Sequence, residues 1–460
     1  MTDLTQISAS DLLALYRSKA VSPVQATQAV LNRIAAMQPQ FNAYRLVDEE
    51  GALAQARASE ARWHRGTPQG ALDGIPVAFK DLLNVKAWPT RKGSLATSPD
   101  AQTHDAPVAA RLRESGAVLL GKTQTAELGW RGLTESRLAG VTPNAWNTAY
   151  ASGGSSGGAA VAAALGLGPL HVGTDGGGSI RQPAAVNGVF GFKPSYGRVP
   201  GYPPAHNGNL FHIGPITRTV TDAALLLNTI AAPDVRDWTA LPQDGRDWTA
   251  DLQGGVKGLR IAFSARFAYA TVDPGVAALV QHAVAQFEAL GAVVDEVDPG
   301  FEDPAPILDV LAAERAIRVQ RDFGDAGVAL LDPGIQQAIQ RALRFGLSDV
   351  LQAQEQRAAL AMLMGRFHQR YDLLLSPVLS APVPRLGIAP ESPFCAVFNL
   401  TQQPAASVPI GLDSNGLPVG LQIVGPAHGD AVVLRAAKAF EQLRPFATPV
   451  ASHSPSYSLS

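Results

Sequence analysis

Between residues 107 and 120 the chain passes from a helical pattern to a strand pattern across a single glycine. Residues 107–115 read as a helix, Gly116 stops it, and Ala117–Leu120 reads as a buried strand. The same order returns later. Asp273 caps a helix with Pro274 at its first position, Gly291 ends it, and residues 292–297 form a strand. Leu72–Phe79 reads as a short apolar strand ending at Lys80 and Asp81. Leu259–Phe263 and Asp372–Val378 are further strands, and residues 305–370 carry helical patterns. Near the start, Ser22 is a good N-cap before Pro23, with apolar residues at Val30, Ile34 and Met37. The tail, with SVPIGL and LPVGLQIVGP, is strand-rich. Helix then strand, repeated, predicts an α/β architecture.

With 460 residues the chain has room for two or three domains or one large α/β domain. No stretch is long enough to uncouple its halves, so a single domain over 1–460 is expected. Residues 234–258 shift to polar, turn-forming composition and read as a surface excursion between two halves. The fragment RDWTA occurs there twice, at 236–240 and 246–250, which is too short to make a repeat architecture. A formal net charge of −2 offers no basic footprint for nucleic acid. Cys395 is the one cysteine, which excludes a disulfide within the chain and favours a reducing compartment. The first twenty residues lack the basic start and apolar run of a signal peptide. Ala159–Leu170 is too short to span a bilayer and is broken by Gly166 and Gly168. A soluble cytoplasmic protein with no membrane partner is the expectation.

The glycines crowd between 151 and 201, and candidate chemistry crowds with them. Gly153, Ser155 and Gly157 spell G-x-S-x-G, the pattern of a nucleophile elbow. Ala159–Leu165 supplies the helix that should follow, but NAWNTAYAS puts turn formers where a strand should precede. The competing reading is a helix N-terminus built from small residues, which can still bind an anion. In HVGTDGGGSIRQPA, Gly176, Gly177 and Gly178 precede Ser179. Glycine allows a backbone that aims several N–H groups at one point, and such donors are worth about 2.7–4 kcal/mol each against a developing oxyanion. Ser179 lies where its oxygen could attack the carbonyl those donors hold; taken alone, the segment reads first as a flexible glycine turn. Lys80 closes an apolar strand. Such a lysine is usually solvated, but burial would lower its pKa and make it a base, and Ser–Lys pairs substitute for Ser–His.

Two further patterns lead elsewhere. Gly116, Gly121, Lys122 and Thr123 satisfy the phosphate-loop spacing, but the residues between them make a strand core rather than an open turn. The nine histidines are scattered and one cysteine cannot build a zinc cluster, so no metal and no cofactor is expected. His206 and His212 share a loop-like segment and read as surface or pocket lining.

Taken together, LDGIPVAFKD (72–81), GGSSGG (153–158) and GTDGGGSIRQPA (173–184) resemble the amidase signature family, in that family's order and with its spacing between Ser155 and Ser179. GFKPSYGRVP (191–200), GPITRTVTDAALLL (214–227) and PAASVPIGLDSNGLPVGLQIVGP (404–426) are similar to it as well, as are the N-terminal helices. The likeness covers nearly the whole chain, with a core at about 70–230, and is least clear over 234–375.

The resemblance implies a large mixed β-sheet covered on both faces by helices. It implies a serine amidase in which Ser179 attacks an amide carbonyl and forms an acyl-enzyme. Ser155, after a cis peptide at Gly154, would relay the proton, and neutral Lys80 would be the base. Backbone N–H groups of Gly176, Gly177, Gly178 and Ser179 would form the oxyanion hole, and Asp175 and Arg181 would be structural supports. Gly154, Trp130 and Arg131 are the candidate substrate-binding residues, since the segment before Trp130 approaches the pocket in the family. Gly176 resembles stand-alone amidases, whereas the glutaminase component of the tRNA-dependent amidotransferase usually has threonine there. Expected partners are therefore a small-molecule amide (or a urea or carbamate) and, at family level only, a second copy in a homodimer. The glutaminase component of a tRNA-dependent amidotransferase and a non-catalytic scaffold on the same fold stay as alternatives. The chain departs from the family at Thr401–Gln402–Gln403–Pro404, where a glycine commonly precedes Gln-Pro.

Overall fold

The computed structural model describes residues 3–449; the outer ends of the 1–460 span lie outside them. Thirteen strands occur among these residues: β1 Tyr44–Val47, β2 Pro76–Lys80, β3 Val118–Thr123, β4 Glu135–Ser136, β5 Gly140–Val141, β6 Leu170–Asp175, β7 Phe190–Lys193, β8 His212–Thr217, β9 Arg260–Phe263, β10 Val293–Glu296, β11 Leu373–Pro377, β12 Ala405–Leu412 and β13 Pro418–Val424. β4 and β5 make a small hairpin, and the other eleven form one sheet in the order β1-β3-β2-β6-β8-β7-β12-β13-β11-β9-β10. The sheet is mixed. β2 runs parallel to β3 and β6, and β9 parallel to β10 and β11, with antiparallel pairs between and beside them.

Strand alternation gives the sheet two buried faces. Val77, Phe79 and Leu119 join one apolar cluster, while Ala78, Val118 and Leu120, their chain neighbours, join another. The first face is covered by helices Pro107–Glu114, Val220–Ile230, Pro274–Ala289 and Asp430–Leu443. The second is covered at one end by Pro23–Phe41, Glu49–Arg65 and Gly157–Ala164. At the other end Leu347–Phe367 packs on Ala262, Leu374, Ala405 and Val424. No helix among the described residues is long and apolar enough to cross a membrane.

The expected elements form close to their expected bounds. Ser22 and Gln25 make a complete capping box at the helix that opens on Pro23. Residues 305–370 resolve into three helices, Ala305–Val328, Pro333–Ala342 and Leu347–Phe367. Lys122 sits inside β3, fully buried, its Nζ donating to Leu83 O at 2.5 Å and Thr90 Oγ1 at 3.0 Å, so the phosphate-loop spacing is a strand. One reading changes. Residues 234–258 are not wholly a surface excursion: Trp248, Leu252 and Val256 enter the first apolar cluster. Trp238, in the other copy of RDWTA, is 94% exposed. Gln402, which stands where the resembled family commonly has glycine, adopts φ 63 and donates to Asn209 O at 3.0 Å.

The parallel β2–β6 pair places the site. Phe79 is in register with Val172, so Lys80 at the end of β2 comes level with the carboxyl end of β6. All eight residues of Gly157–Ala164 are buried. A Cβ on Gly158 would meet Gln124 N at 2.5 Å, Gln124 O at 2.6 Å and Ala43 O at 2.7 Å, all of them backbone atoms that cannot step aside. Gly158→Ala should therefore lower stability by about 1–3 kcal/mol, read as a fall in the urea midpoint at unchanged m-value.

Candidate active site

Lys80 is wholly buried, and every polar atom near its amine belongs to a hydroxyl or a carbonyl. Nζ lies 2.7 Å from Ser155 Oγ, 2.8 Å from Ser156 Oγ, 3.0 Å from Thr174 Oγ1 and 3.5 Å from Thr174 O. With no carboxylate in contact, burial holds its pKa well below the ordinary lysine value. Asp175 opposes that shift from a distance, and Arg315 adds to it. Ser155 and Ser156 stand at the entrance to the helix Gly157–Ala164, and the Gly154–Ser155 peptide is cis. The segment before them is a loop rather than a strand, so the elbow pattern reduces to a helix N-terminus of small residues.

Ser179 sits on the loop joining β6 to the helix Arg181–Asn187. The loop is shaped from below by Asp175. Its Oδ1 accepts from Gly178 N at 2.7 Å and its Oδ2 from Ile180 N at 3.1 Å. Arg181 grips the same carboxylate through Nε at 3.0 Å and Nη2 at 2.9 Å. Burial alone would raise the Asp175 pKa, but the charge and hydrogen bonds of Arg181, with Lys193 and Asn399, hold it well below the carboxylate range. Gly178 takes φ 120, and a Cβ there would meet Cys395 Cβ at 2.8 Å, so only glycine fits.

One expected donor changes role. The N–H of Gly178 is engaged by Asp175 and cannot also face an oxyanion. The N–H groups of Gly176, Gly177 and Ser179 have no protein acceptor among the described residues. The Ser179 hydroxyl is likewise without a protein hydrogen bond among them. Ser179 and Ser155 line one cavity of about 70 Å³ with Gly176 and Lys92. A second, of about 300 Å³, opens beside it between Gly176–Ser179, Gly154, Trp130, Arg131 and Arg315. Gly154 donates its N–H to Gln182 Oε1 at 3.2 Å, and Trp130 packs with the cluster around Leu331 and Ile335. Arg131 pairs with Glu135 and with Asp332 at 3.5 Å, so both its neighbours already balance its charge. Among the described residues no group of three or more His, Cys, Asp or Glu side chains could hold a metal ion.

Ser156, Thr174 and Arg315 were not singled out from the sequence. Ser156 had a signal, since it adjoins Ser155 in GGSSGG. Thr174 becomes visible only when β6 is laid beside β2, and Arg315 only when a helix from the second half of the chain is packed over the glycine loop.

A family model described as Amidase matches residues 25–434. The chain belongs to this family, the amidase signature enzymes. It is accordingly an amide-hydrolysing enzyme. Its sequence is similar to the acylamidase of Rhodococcus erythropolis, 36% identical over 462 residues and covering 97% of each chain. It is as similar to the A component of the glutamyl-tRNA(Gln) amidotransferase of Myxococcus xanthus (strain DK1622), 36% identical over 482 residues, 97% of this chain and 98% of the relative. Among solved structures, a bacterial aryl acylamidase of the amidase signature enzymes matches this amidase with a TM-score of 0.89 at 32% identity, covering 95% of this chain and 96% of that one. The peptide amidase from Stenotrophomonas maltophilia matches with a TM-score of 0.85 at 30% identity, covering 97% and 98%.

Asp175→Asn leaves the Arg181 charge buried without its counterion and should destabilise this amidase by about 3–5 kcal/mol, measured by chemical denaturation. The sign with pH follows from a depressed carboxylate. Its stabilisation is complete above the ordinary value of 3.8 and is lost as pH falls from there through the folded-state value. Stability of the parent should therefore drop below pH 3.8 more steeply than that of the variant.

Proposed function

We propose that this chain, acting without partner subunits, hydrolyses the C–N bond of a small carboxamide through an acyl-enzyme on Ser179, with Ser155 as proton relay and Lys80 as base. The observation that carries this reading is the Lys80 amine, fully buried and 2.7 Å from Ser155 Oγ. Hydrogen counting supports it. The Ser156 hydroxyl donates to Thr174 O at 3.1 Å, so towards Lys80 it is an acceptor. A neutral amine then directs its two N–H groups to Ser156 Oγ and Thr174 Oγ1, and its lone pair to the hydroxyl of Ser155.

In the first step the Ser179 oxygen bonds to the amide carbon. Its proton moves to Ser155 as the proton of Ser155 moves to Lys80. The Ser155–Ser179 hydrogen bond closes when substrate fills the cavity, as catalytic contacts tighten in the substrate complex. Negative charge on the carbonyl oxygen is met by the N–H groups of Gly176, Gly177 and Ser179. The C–N bond then breaks. The departing amine takes a proton from Ser155, which Lys80 replaces. Water attacks the acyl-Ser179 by the same relay and releases the carboxylate.

The likeness to an amidotransferase component supports a second reading, a glutaminase that works only within an assembly. Turnover of simple amides by the purified chain alone separates the two, and its absence alongside glutaminase activity in an assembly would favour the second. Covalent labelling by a fluorophosphonate, lost in Ser179→Ala, is the expected result for an enzyme and excludes a scaffold. Ser179→Ala should also abolish turnover with an unchanged circular dichroism spectrum. Lys80→Ala should lower kcat by a factor on the order of 10³ or more. Because the Lys80 pKa is depressed and only the neutral amine accepts a proton, kcat/KM should rise with pH to a plateau. A profile flat from about pH 5 to 9 would count against the lysine base.

A further inference from the structure

Arg315 projects from the helix Ala305–Val328 into the 300 Å³ cavity that Gly176–Ser179 also line. Its Nη2 donates to Leu128 O at 3.0 Å. Its Nε and Nη1 meet no protein acceptor among the described residues, and no carboxylate there lies within 4.0 Å of it. The surrounding acids are engaged elsewhere. Asp175 holds Arg181, Asp332 holds Arg131, Glu314 holds Arg318, and Asp322 holds His206 and Arg321. Glu127 accepts from Ser94 Oγ at 2.6 Å and from Asp332 N at 2.6 Å. Burial lowers the Arg315 pKa to about 10, which leaves the guanidinium charged at neutral pH. Lys92 lines the adjoining cavity with Ser155 and Ser179 and forms no ion pair among the described residues. Arg315 thus faces the cavity beside Ser179 without a protein counterion among the described residues.

We propose that Arg315 binds a carboxylate of the substrate, so that this enzyme acts on carboxamides that carry a carboxylate in the same small molecule. The inference rests on the Ser179 reading above. A guanidinium offers the planar fork that a carboxylate matches in two parallel hydrogen bonds. Arg131, one of the candidate substrate-binding residues, has two carboxylates of its own, and Arg315 has none among the described residues. The cavity suits a small molecule rather than a long chain, since a volume of about 300 Å³ is at the low end for ligand sites.

The test compares monoamides of four- and five-carbon dicarboxylic acids with neutral alkylamides of equal length, on the parent, Arg315→Gln and Arg315→Lys. Binding of the free dicarboxylates is measured by calorimetry on the same proteins. The parent should favour the carboxylated amide in kcat/KM by a factor on the order of 10² or more, as a charge-assisted pair allows. Arg315→Gln should lose that preference, mainly through KM, and weaken dicarboxylate binding by a similar factor. Arg315→Lys, which keeps the charge but not the fork, should fall between. No preference in the parent, or an equal loss on both substrate classes as expected if Arg315 only anchors Leu128, overturns the inference. If Arg315→Gln does not fold, the parent's preference and Arg315→Lys decide. The two readings fail separately. If no amide is cleaved and Ser179 takes no fluorophosphonate, the Ser179 reading falls. Calorimetry still decides for Arg315, because dicarboxylate binding that depends on it supports the carboxylate site and absent binding overturns it.

Discussion

Arg181 enters the interior with all five guanidinium N–H groups occupied. Two go to the Asp175 carboxylate, one to Cys395 O at 2.9 Å, one to Gln422 Oε1 at 2.7 Å and one to Asn399 Oδ1 at 2.7 Å. These partners come from β6, from β13 and from the segment between β11 and β12, so one side chain ties the glycine loop to the far half of the sheet. A buried ion pair is held only where hydrogen bonds satisfy what the charges leave over, and here they do. The consequence is local. Asp175 has its two oxygens on Gly178 N, Ile180 N and Arg181, so the turn that carries Ser179 is braced from beneath while its outer N–H groups stay open.

The same burial acts in opposite directions on the two ends of the site. At Asp175 the guanidinium outweighs desolvation and the group stays ionised. At Lys80 no carboxylate is close enough to do so, and desolvation favours the neutral amine, the form that accepts a proton. The two groups sit at the carboxyl ends of neighbouring strands, yet the hydroxyls of Ser155, Ser156 and Thr174 surround the amine in place of an acid. A carboxylate in their place would hold Lys80 protonated and remove the base.

Much of the site is legible from residues alone because its chemistry is local. Lys80 closes an apolar strand, Ser155 opens a helix, and Ser179 follows three glycines, each a short-range signal. The limits are equally local in origin. Which glycine N–H faces the cavity depends on the Asp175 side chain, and three consecutive glycines do not by themselves distinguish Gly178 from its neighbours. Arg131 and Arg315 illustrate the other limit. Glu135 is four residues from Arg131, but nothing in the neighbouring letters says that Asp332 also balances it or that Arg315 reaches the cavity without a counterion, because Asp332 and Leu128 are distant in the chain from the arginines they meet.

The sequence by itself determined the α/β class, the positions of most helices and strands, and the segments that bring a lysine and two serines to small-residue turns. Periodicity, caps and glycines act within a few residues, so they are written in the chain. Tertiary structure alone decided the order of the eleven strands, the meeting of Thr174 with Lys80, and the fates of two identical pentapeptides. In one RDWTA the tryptophan, Trp238, stands in solvent. In the other, Trp248 lies in the core beneath Arg198, whose guanidinium is 4.9 Å from its ring. Identical residues cannot encode that difference. It comes from what the fold packs against each copy, and burial is a property of neighbours rather than of the side chain itself.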